Sequence, residues 1–378
     1  MKQYSLFIHL MLSVLLLSAC GGRSKTSSAS ITEEAIPLRY AENLSLSATE
    51  DYTIARLRNP WDTTRILHTY VLVDKEKPLP ADLPEGTLVR IPLGKAVVYS
   101  SVHCGLLNQI GALKSIGGVC DLKYIKLQEV QDGCRTGSIA DVGDGMNPDI
   151  EKMIDLHPDA IMLSPFENSG GYGRVEKLNI PIIECADYME TSALGRAEWT
   201  RFYGLLFGRT QQADSLFAEV EKNYQELKAL VAPLSSAPSV ISELKNGSAW
   251  YVPGGKSTSA QLYADAGANY VFAADEHSGS VPLAFETVFD KGQNADFWLI
   301  KYNQAIDKTY KELKQDYAPY AGFRAYKERK IYGCNTNKVS LYEDYPFHPD
   351  WLLKDLIKIF HPMLLEGYEL KYFTKLAE

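Results

Sequence analysis

The chain has 378 residues, 46% of them apolar and 23% charged, with a formal net charge of −8 at neutral pH. That composition is globular and not disordered, and the acidic balance argues against nucleic acid or an anionic membrane surface as partner. With an N-terminal leader set aside, roughly 350 residues remain, enough for two compact domains with filled cores.

The leader comes first. Lys2 supplies a positive start and Leu6 to Ala19 an apolar run too short to span a bilayer, which together read as a secretory signal. Leu16-Leu17-Ser18-Ala19-Cys20 resembles a bacterial lipobox, which implies cleavage before Cys20 and a lipid on that residue. The alternative is an ordinary signal peptide cut at Ala19, with Cys20 incidental. Residues 1–19 are thus read as signal peptide and 20–39 as a lipidated tether, flexible because Gly21 to Ala29 is rich in Gly, Ser and Thr. No second apolar stretch is long enough to span a membrane.

From Tyr40 to Ile91 short alternating runs, such as Tyr52 to Leu57 and Ile66 to Val73, are broken by Asn59-Pro60 and a Pro78 to Gly86 turn cluster. They predict antiparallel strands, and residues 40–95 are assigned to the N-terminal lobe. Residues 96–209 then alternate strand and helix: Ala96 to Tyr99 as strand, Leu106 to Leu113 as helix, Gly117-Gly118-Val119 leading another strand, a helix from Pro148 to Leu156, and Ala160 to Leu163 as strand. That rhythm predicts an α/β lobe with a largely parallel sheet. Thr210 is a plausible cap for a helix from Gln211 to about Val231, with Ala213, Leu216, Phe217, Val220, Tyr224, Leu227 and Val231 on one face. This helix, residues 210–232, joins the first lobe to a second over 233–378. There Ser239 to Ser242, Trp250 to Val252 and Phe297 to Ile300 are expected strands, and Ala260 to Ala266 a helix. The fold class is α/β: two Rossmann-like lobes, one long helix between them, a ligand cleft, and an extra antiparallel segment at the N-terminus.

Five further cysteines, Cys104, Cys120, Cys134, Cys185 and Cys334, show no C-x-x-C pair. Cys120 with Cys134 could close a short loop; most of the five read as small buried hydrophobes. Catalytic signatures are missing. Gly254-Gly255-Lys256-Ser257-Thr258 lacks the leading glycine of a phosphate loop, Gly170 to Gly173 lacks dinucleotide spacing, and neither H-E-x-x-H nor G-x-S-x-G occurs. His157, His348 and His361 each precede a proline and mark element boundaries. No His or carboxylate cluster suits a bare metal ion, and neither metal nor cofactor is expected as a resident group.

In an open α/β sheet, residues just past the C-terminal strand ends line the ligand crevice. Ser101 and His103 follow the strand ending at Tyr99; Phe166 follows Leu163; Lys301, Tyr302 and Asn303 follow Ile300. His103 is read as a structural histidine or a ligand contact. The chain holds 23 Tyr and 5 Trp, and Tyr172, Tyr188, Trp250, Tyr251, Tyr342 and Tyr345 fall near predicted loops. Rigid rings with polar tips suit a concave site for a bulky, partly apolar ligand. An internal echo links Asn147 to Glu151 before one strand with Pro282 to Glu286 before another.

The lipobox, the two lobes, the long helix, Ile110 to Leu113 through Gly117 to Asp121, and Asp149-Ile150-Glu151 through His157 to Ile161 resemble the substrate-binding proteins of iron-chelate and vitamin B12 ABC importers. Ser192 to Trp199, Trp250 to Gly255 and His348 to Asp355 look like the branch found in Bacteroides-type bacteria. The resemblance implies a monomeric carrier, not an enzyme, that takes a small-molecule metal chelate (ferric siderophore, haem or corrinoid) and delivers it to a permease with its ATPase. It also implies that Glu151 and Glu286, one on each rim, dock with permease arginines; alone, they read as acids in a helix's first turn. A free zinc or manganese carrier and a secreted α/β hydrolase are the competing readings. The expected location is the periplasm, lipid-anchored and with the inner membrane favoured, because no acidic run of the surface-export kind follows Cys20.

Overall fold

The computed structural model describes residues 33–167 and 171–378; the signal peptide, Cys20, the tether as far as residue 32, and residues 168–170 lie outside the described residues. Five strands, Glu34–Ile36, Leu44–Ala48, Thr53–Arg58, Ile66–Asp74 and Thr87–Ile91, form a first sheet in chain order. Strand alternation gives it two faces. Leu44, Leu46, Ala55, Leu57, Tyr70 and Leu72 turn into a core shared with Ala96, Val98 and Leu107, whereas Tyr52, Ile54, Val71 and Val73 turn the other way, beneath Leu83 and Leu88. One correction applies: Ile66–Asp74 and Thr87–Ile91 pair in parallel. The Pro78 to Gly86 stretch is therefore a return crossing and not a hairpin turn, since a parallel pair needs a long connection.

Beyond this sheet the α/β class holds. The N-lobe sheet runs Ile182–Glu184, Ala160–Leu163, Ala96–Val98, Ile116–Val119, Ala140–Asp141, all parallel. Its central strands are buried along their whole length, the pattern of a sheet covered on both faces. The C-lobe sheet runs Asn269–Tyr270, Ser239–Ser242, Phe297–Tyr302, Ile331–Asn335 in parallel, closed by an antiparallel Thr374–Lys375. A separate antiparallel sheet of Lys245–Asn246, Ala249–Pro253 and Ser280–Leu283 lies in the same lobe. Trp250 to Val252 thus belongs to a small hairpin sheet and not to the parallel one.

The first N-lobe helix is Ser101–Gln109 and not Leu106 to Leu113, because Ser100 accepts a hydrogen bond from the Val102 amide and starts it early. Ser257 likewise caps Thr258–Asp265. The long helix is Thr210–Val231; Thr210 is its first residue, not its cap, and no side chain caps it. Ala213, Phe217, Val220, Tyr224, Leu227 and Val231 are buried along its inner face.

Around this helix the chain crosses between the lobes. Ala193, Leu194 and Ala197 join the C-lobe core, Trp199, Phe202, Tyr203 and Ala213 join the N-lobe core, and Phe217 to Val231 return to the C-lobe core. Residue 209 is consequently no border between lobes, and most of the connecting helix packs on the second. Phe347, late in the chain, is also inserted into the N-lobe core. Residues Glu34–Glu378 form one compact body. Among the described residues no helix is long and apolar enough to cross a membrane. Cys104, Cys120, Cys134, Cys185 and Cys334 are all free thiols, so Cys120 and Cys134 form no bridge; burial pushes the Cys120 thiol up to about 12.

Candidate ligand-binding cleft

Each parallel sheet reverses its strand order beside its first strand. In the N-lobe the chain moves from Ala96–Val98 outward to Ile116–Val119, then returns to Ala160–Leu163 on the other side. In the C-lobe it moves from Ser239–Ser242 to Asn269–Tyr270, then back to Phe297–Tyr302. Loops that leave such neighbours part company and open a crevice. A cavity lies at each of the two points.

The N-lobe cavity, about 550 Å³, is lined by Tyr99, Leu163, Phe166, Met146 and Tyr172, with Asp121 and Arg174 as charged groups. Phe166 is 52% exposed, so an aromatic ring stands open to a ligand. The Tyr172 hydroxyl donates to Glu184 Oε1 at 2.6 Å. Burial and that carboxylate both push the phenol above its usual range, so it keeps its proton.

The C-lobe cavity, about 380 Å³, is lined by Glu243, Lys301, Tyr251, Tyr342 and the hydroxyl residues Ser257, Thr258, Ser259, Ser278 and Ser280. Lys301 and Glu243, the residues at the strand reversal, form an ion pair, with side chains only 25% and 20% exposed. Burial works against the lysine's charge, but Glu243, Tyr263 and Tyr342 hold it protonated well above the usual lysine range. Glu243 adopts a left-handed backbone, φ 69°. Its carbonyl accepts from Trp298 Nε1 at 2.8 Å and its amide donates to the Leu299 carbonyl at 2.9 Å. Hydrogen bonds from the sheet thus impose a costly conformation at the cavity wall. Tyr251 and Tyr342 are each 49% exposed.

The loops beyond both sets of strand ends meet. Lys126, from the N-lobe, donates to the carbonyls of Thr336 and Val339; Thr258 Oγ1 donates to the Glu190 carbonyl at 3.1 Å; and Arg196 Nη1 reaches Tyr345 Oη at 3.0 Å. The two cavities therefore flank one inter-lobe junction, an apolar aromatic chamber on one side and a hydroxyl-lined chamber with a fixed ion pair on the other.

Several expected ligand residues lie elsewhere. Trp250 is fully buried, stacked on Trp298 at 5.5 Å, and its indole N–H donates to the Ser242 carbonyl at 3.0 Å. Strand alternation is the reason: of two successive aromatics one faces in, and Tyr251 is the outward one. His103 lies in a helix, 3% exposed, with Nε2 at 2.9 Å from Asp187 Oδ1 and 3.1 Å from Tyr203 Oη. It is a buried structural histidine. Ser101 sits one position inside the helix, and its neighbour Ser100 lines the cavity instead. Tyr302 turns away from Lys301 and accepts from the Lys308 amide at 3.0 Å, and the Asn303 side chain donates to Thr336 Oγ1 at 3.2 Å. Tyr188 donates to the Pro165 carbonyl at 2.5 Å and braces the loop that carries Phe166. Of the ten expected ligand residues, Phe166, Tyr172, Tyr251 and Tyr342 line the cavities.

Lys301 falls at an expected strand end without being singled out, and Glu243 and the Ser257 to Ser259 run are the residues that sequence reasoning missed. Alternation along Phe297 to Tyr302 carried a signal for the first: if Tyr302 packs on one face of the sheet end, Lys301 must project from the other. Glu151 and Glu286 both lie exposed in the first turn of their helices, Ile150–Leu156 and Phe285–Gly292. Among the described residues no three or more His, Cys, Asp or Glu side chains are grouped to hold a metal ion.

The family described as periplasmic binding protein matches residues 96–337. An uncharacterized lipoprotein of Methanocaldococcus jannaschii is 24% identical over 366 residues, covering 89% of this chain and 85% of that protein. Among solved structures, a periplasmic heme binding protein from Pseudomonas aeruginosa matches with a TM-score of 0.60 at 14% identity, over 76% of this chain and 99% of that one. A molybdate periplasmic binding protein of Haemophilus influenzae matches with a TM-score of 0.56 at 20% identity, over 74% of this chain and 89% of that one. At these identities the solved structures speak for the fold.

Proposed function

We propose, on the premise that the chain belongs to the periplasmic binding protein family, that it captures a bulky metal chelate, a ferric siderophore or haem, and delivers it to the permease of an ABC importer and its ATPase. The observation that carries this reading is the pair of unlike chambers at the two strand reversals. Phe166 in the N-lobe chamber and Tyr251 and Tyr342 in the C-lobe chamber offer open rings, while Lys301, Glu243 and the hydroxyls of the C-lobe chamber offer fixed polar groups for a ligand's periphery. Large, partly apolar ligands with polar margins match such a site, with rings supplying area and a few polar groups supplying orientation. The long helix packs along its length and resists large hinge bending, so binding energy is not spent on a wide closure. A corrinoid fits the same description and is the second reading.

The protein acts as a monomeric carrier and not an enzyme, tethered through lipid on Cys20 to the periplasmic face of the inner membrane; the name of the M. jannaschii relative, a lipoprotein, supports the anchor. Glu151 and Glu286, exposed on separate rims, dock with the permease. The test is to add haem, a ferric hydroxamate, a ferric catecholate and cyanocobalamin separately to the purified protein and record absorbance and calorimetric titrations. One class should bind saturably with no turnover. Failure of all four at micromolar concentration overturns the functional reading.

A further inference from the structure

We propose that His68, carried by the N-terminal sheet, is a positioning residue for the cavity-lining Tyr172 and acts through Glu184. The proposal rests on reading the N-lobe cavity as part of the ligand site. It assigns a role to a sheet that lies ahead of the residues matched by the family, 96–337.

Glu184 is the last residue of Ile182–Glu184, the edge strand of the N-lobe sheet. An edge leaves backbone groups unpaired. Here the Tyr70 hydroxyl from the N-terminal sheet fills the gap, donating to the Ile182 carbonyl at 2.9 Å and accepting from the Glu184 amide at 2.8 Å. His68, two residues earlier on the same face, stacks on Tyr70 with centroids 4.3 Å apart and planes 16° from parallel. Its Nδ1 lies 3.3 Å from Glu184 Oε2, and its Nε2 lies 2.8 Å from Thr87 Oγ1 on the neighbouring strand. Glu184 Oε1 then accepts a hydrogen bond from the Tyr172 hydroxyl at 2.6 Å. A run of contacts therefore leads from Thr87 through His68 and Glu184 to a ring in the cavity wall, with the His68–Glu184 step at ion-pair distance and not a hydrogen bond.

The chemistry has a direction. A phenol has one proton, and Tyr172 commits it to Glu184, so toward the cavity its oxygen can only accept. The ligand group that meets it must carry an N–H or O–H. Glu184 is 8% exposed, and a buried carboxylate that loses one partner reorients toward another or toward water. Removing the His68 imidazole, whose Nδ1 faces the otherwise unbonded Oε2, thus frees the carboxylate to turn and takes the Tyr172 hydroxyl with it.

The experiment uses the full chain with 3-fluorotyrosine at position 172 alone, read by fluorine NMR without ligand. His68→Phe keeps a ring to stack on Tyr70 but has no donor; His68→Asn keeps an amide donor near the Nδ1 position but has no ring to stack. The expected result is that His68→Phe moves the 172 resonance by more than a linewidth while His68→Asn leaves it in place. An unmoved resonance in folded His68→Phe overturns the proposal. So does the reverse order, which is the mark of ring packing alone. Should His68→Phe fail to fold, Thr87→Val removes the hydroxyl that orients the imidazole and is expected to move the same resonance; if it does not, the proposal falls. Haem, the ferric hydroxamate, the ferric catecholate and cyanocobalamin are then titrated in turn. Whichever the wild type binds should bind His68→Phe roughly tenfold more weakly, the scale of one lost hydrogen bond. If the wild type binds none of them, the ligand-site reading fails, while the fluorine result still decides whether His68 positions Tyr172.

Discussion

Replacing Asp187 by asparagine should destabilise the protein strongly and in a pH-dependent way. The carboxylate is 1% exposed and receives three donors: His103 Nε2 at 2.9 Å, Tyr203 Oη at 2.7 Å and Arg196 Nε at 3.1 Å. Burial alone would raise its pKa, but His103, Arg196 and Tyr203 bring it down to about 2. Burial alone would depress His103, but Cys185 and Asp187 hold it up at about 10. Asp187, depressed in the fold, contributes stability that is complete above its unfolded value near 4 and is lost as pH falls toward 2. His103, raised in the fold, contributes stability that is complete below its unfolded value of about 6.5 and is lost as pH rises toward 10. At pH 6 both contributions are in place, and Asp187→Asn leaves two buried cations facing each other. Removing one partner from a buried charge cluster costs about 3–5 kcal/mol. At pH 8.5 the penalty should shrink, because His103 in the variant is free to lose its proton. Urea unfolding followed by circular dichroism at both pH values measures the difference, and imidazole NMR follows His103 directly. A loss below about 1 kcal/mol at pH 6, or wild-type His103 titrating near 6.5, refutes the reasoning.

Trp250→Phe keeps a ring in the core but abandons the Ser242 carbonyl, so stability should fall by about 1–3 kcal/mol with chelate affinity unchanged; a large affinity loss at constant stability would return Trp250 to the site. Lys301→Met strands Glu243 in the cavity and should weaken both stability and binding, whereas adding Glu243→Leu should restore stability without restoring binding. Recovery of both in the double variant would mean that the pair is structural only. Glu151→Lys with Glu286→Lys should lower uptake by cells while titrations of the purified protein stay as in wild type, because reversed rim charges repel the permease; normal uptake removes the docking assignment. Cys20→Ser should release the protein from the membrane fraction, and unchanged membrane association argues against lipid on Cys20.

What could be read from the sequence was what depends on neighbours along the chain. Ala160 to Leu163 and Ser239 to Ser242 are short apolar runs between breakers, and they are strands at those residues. The helical stripe from Ala213 to Val231 is buried where its period placed it. Facing was harder, because it depends on which sheet a strand joins. Trp250 and Tyr251 differ by one step of a period of two, and only their pairing with Ser280–Leu283 shows which ring points inward. His103 looked like a loop residue because the Ser100 cap starts its helix sooner than the apolar pattern does. Glu243 and Lys301 are far apart in sequence and meet only through the reversal of strand order. No local pattern announces a pair of that kind.

The chain enters the C-lobe core at Ala193, leaves it for the N-lobe core at Trp199, and returns at Phe217, with Phe347 crossing again. Two lobes strung on a single linker could melt one at a time. Two lobes stitched by repeated crossings cannot, since loosening either core pulls side chains out of the other. Unfolding should accordingly be one concerted event despite the size of the chain, and damage at Trp298 should be felt at Trp199. For a member of the periplasmic binding protein family, such all-or-none behaviour keeps partly opened forms rare and limits what proteases can reach.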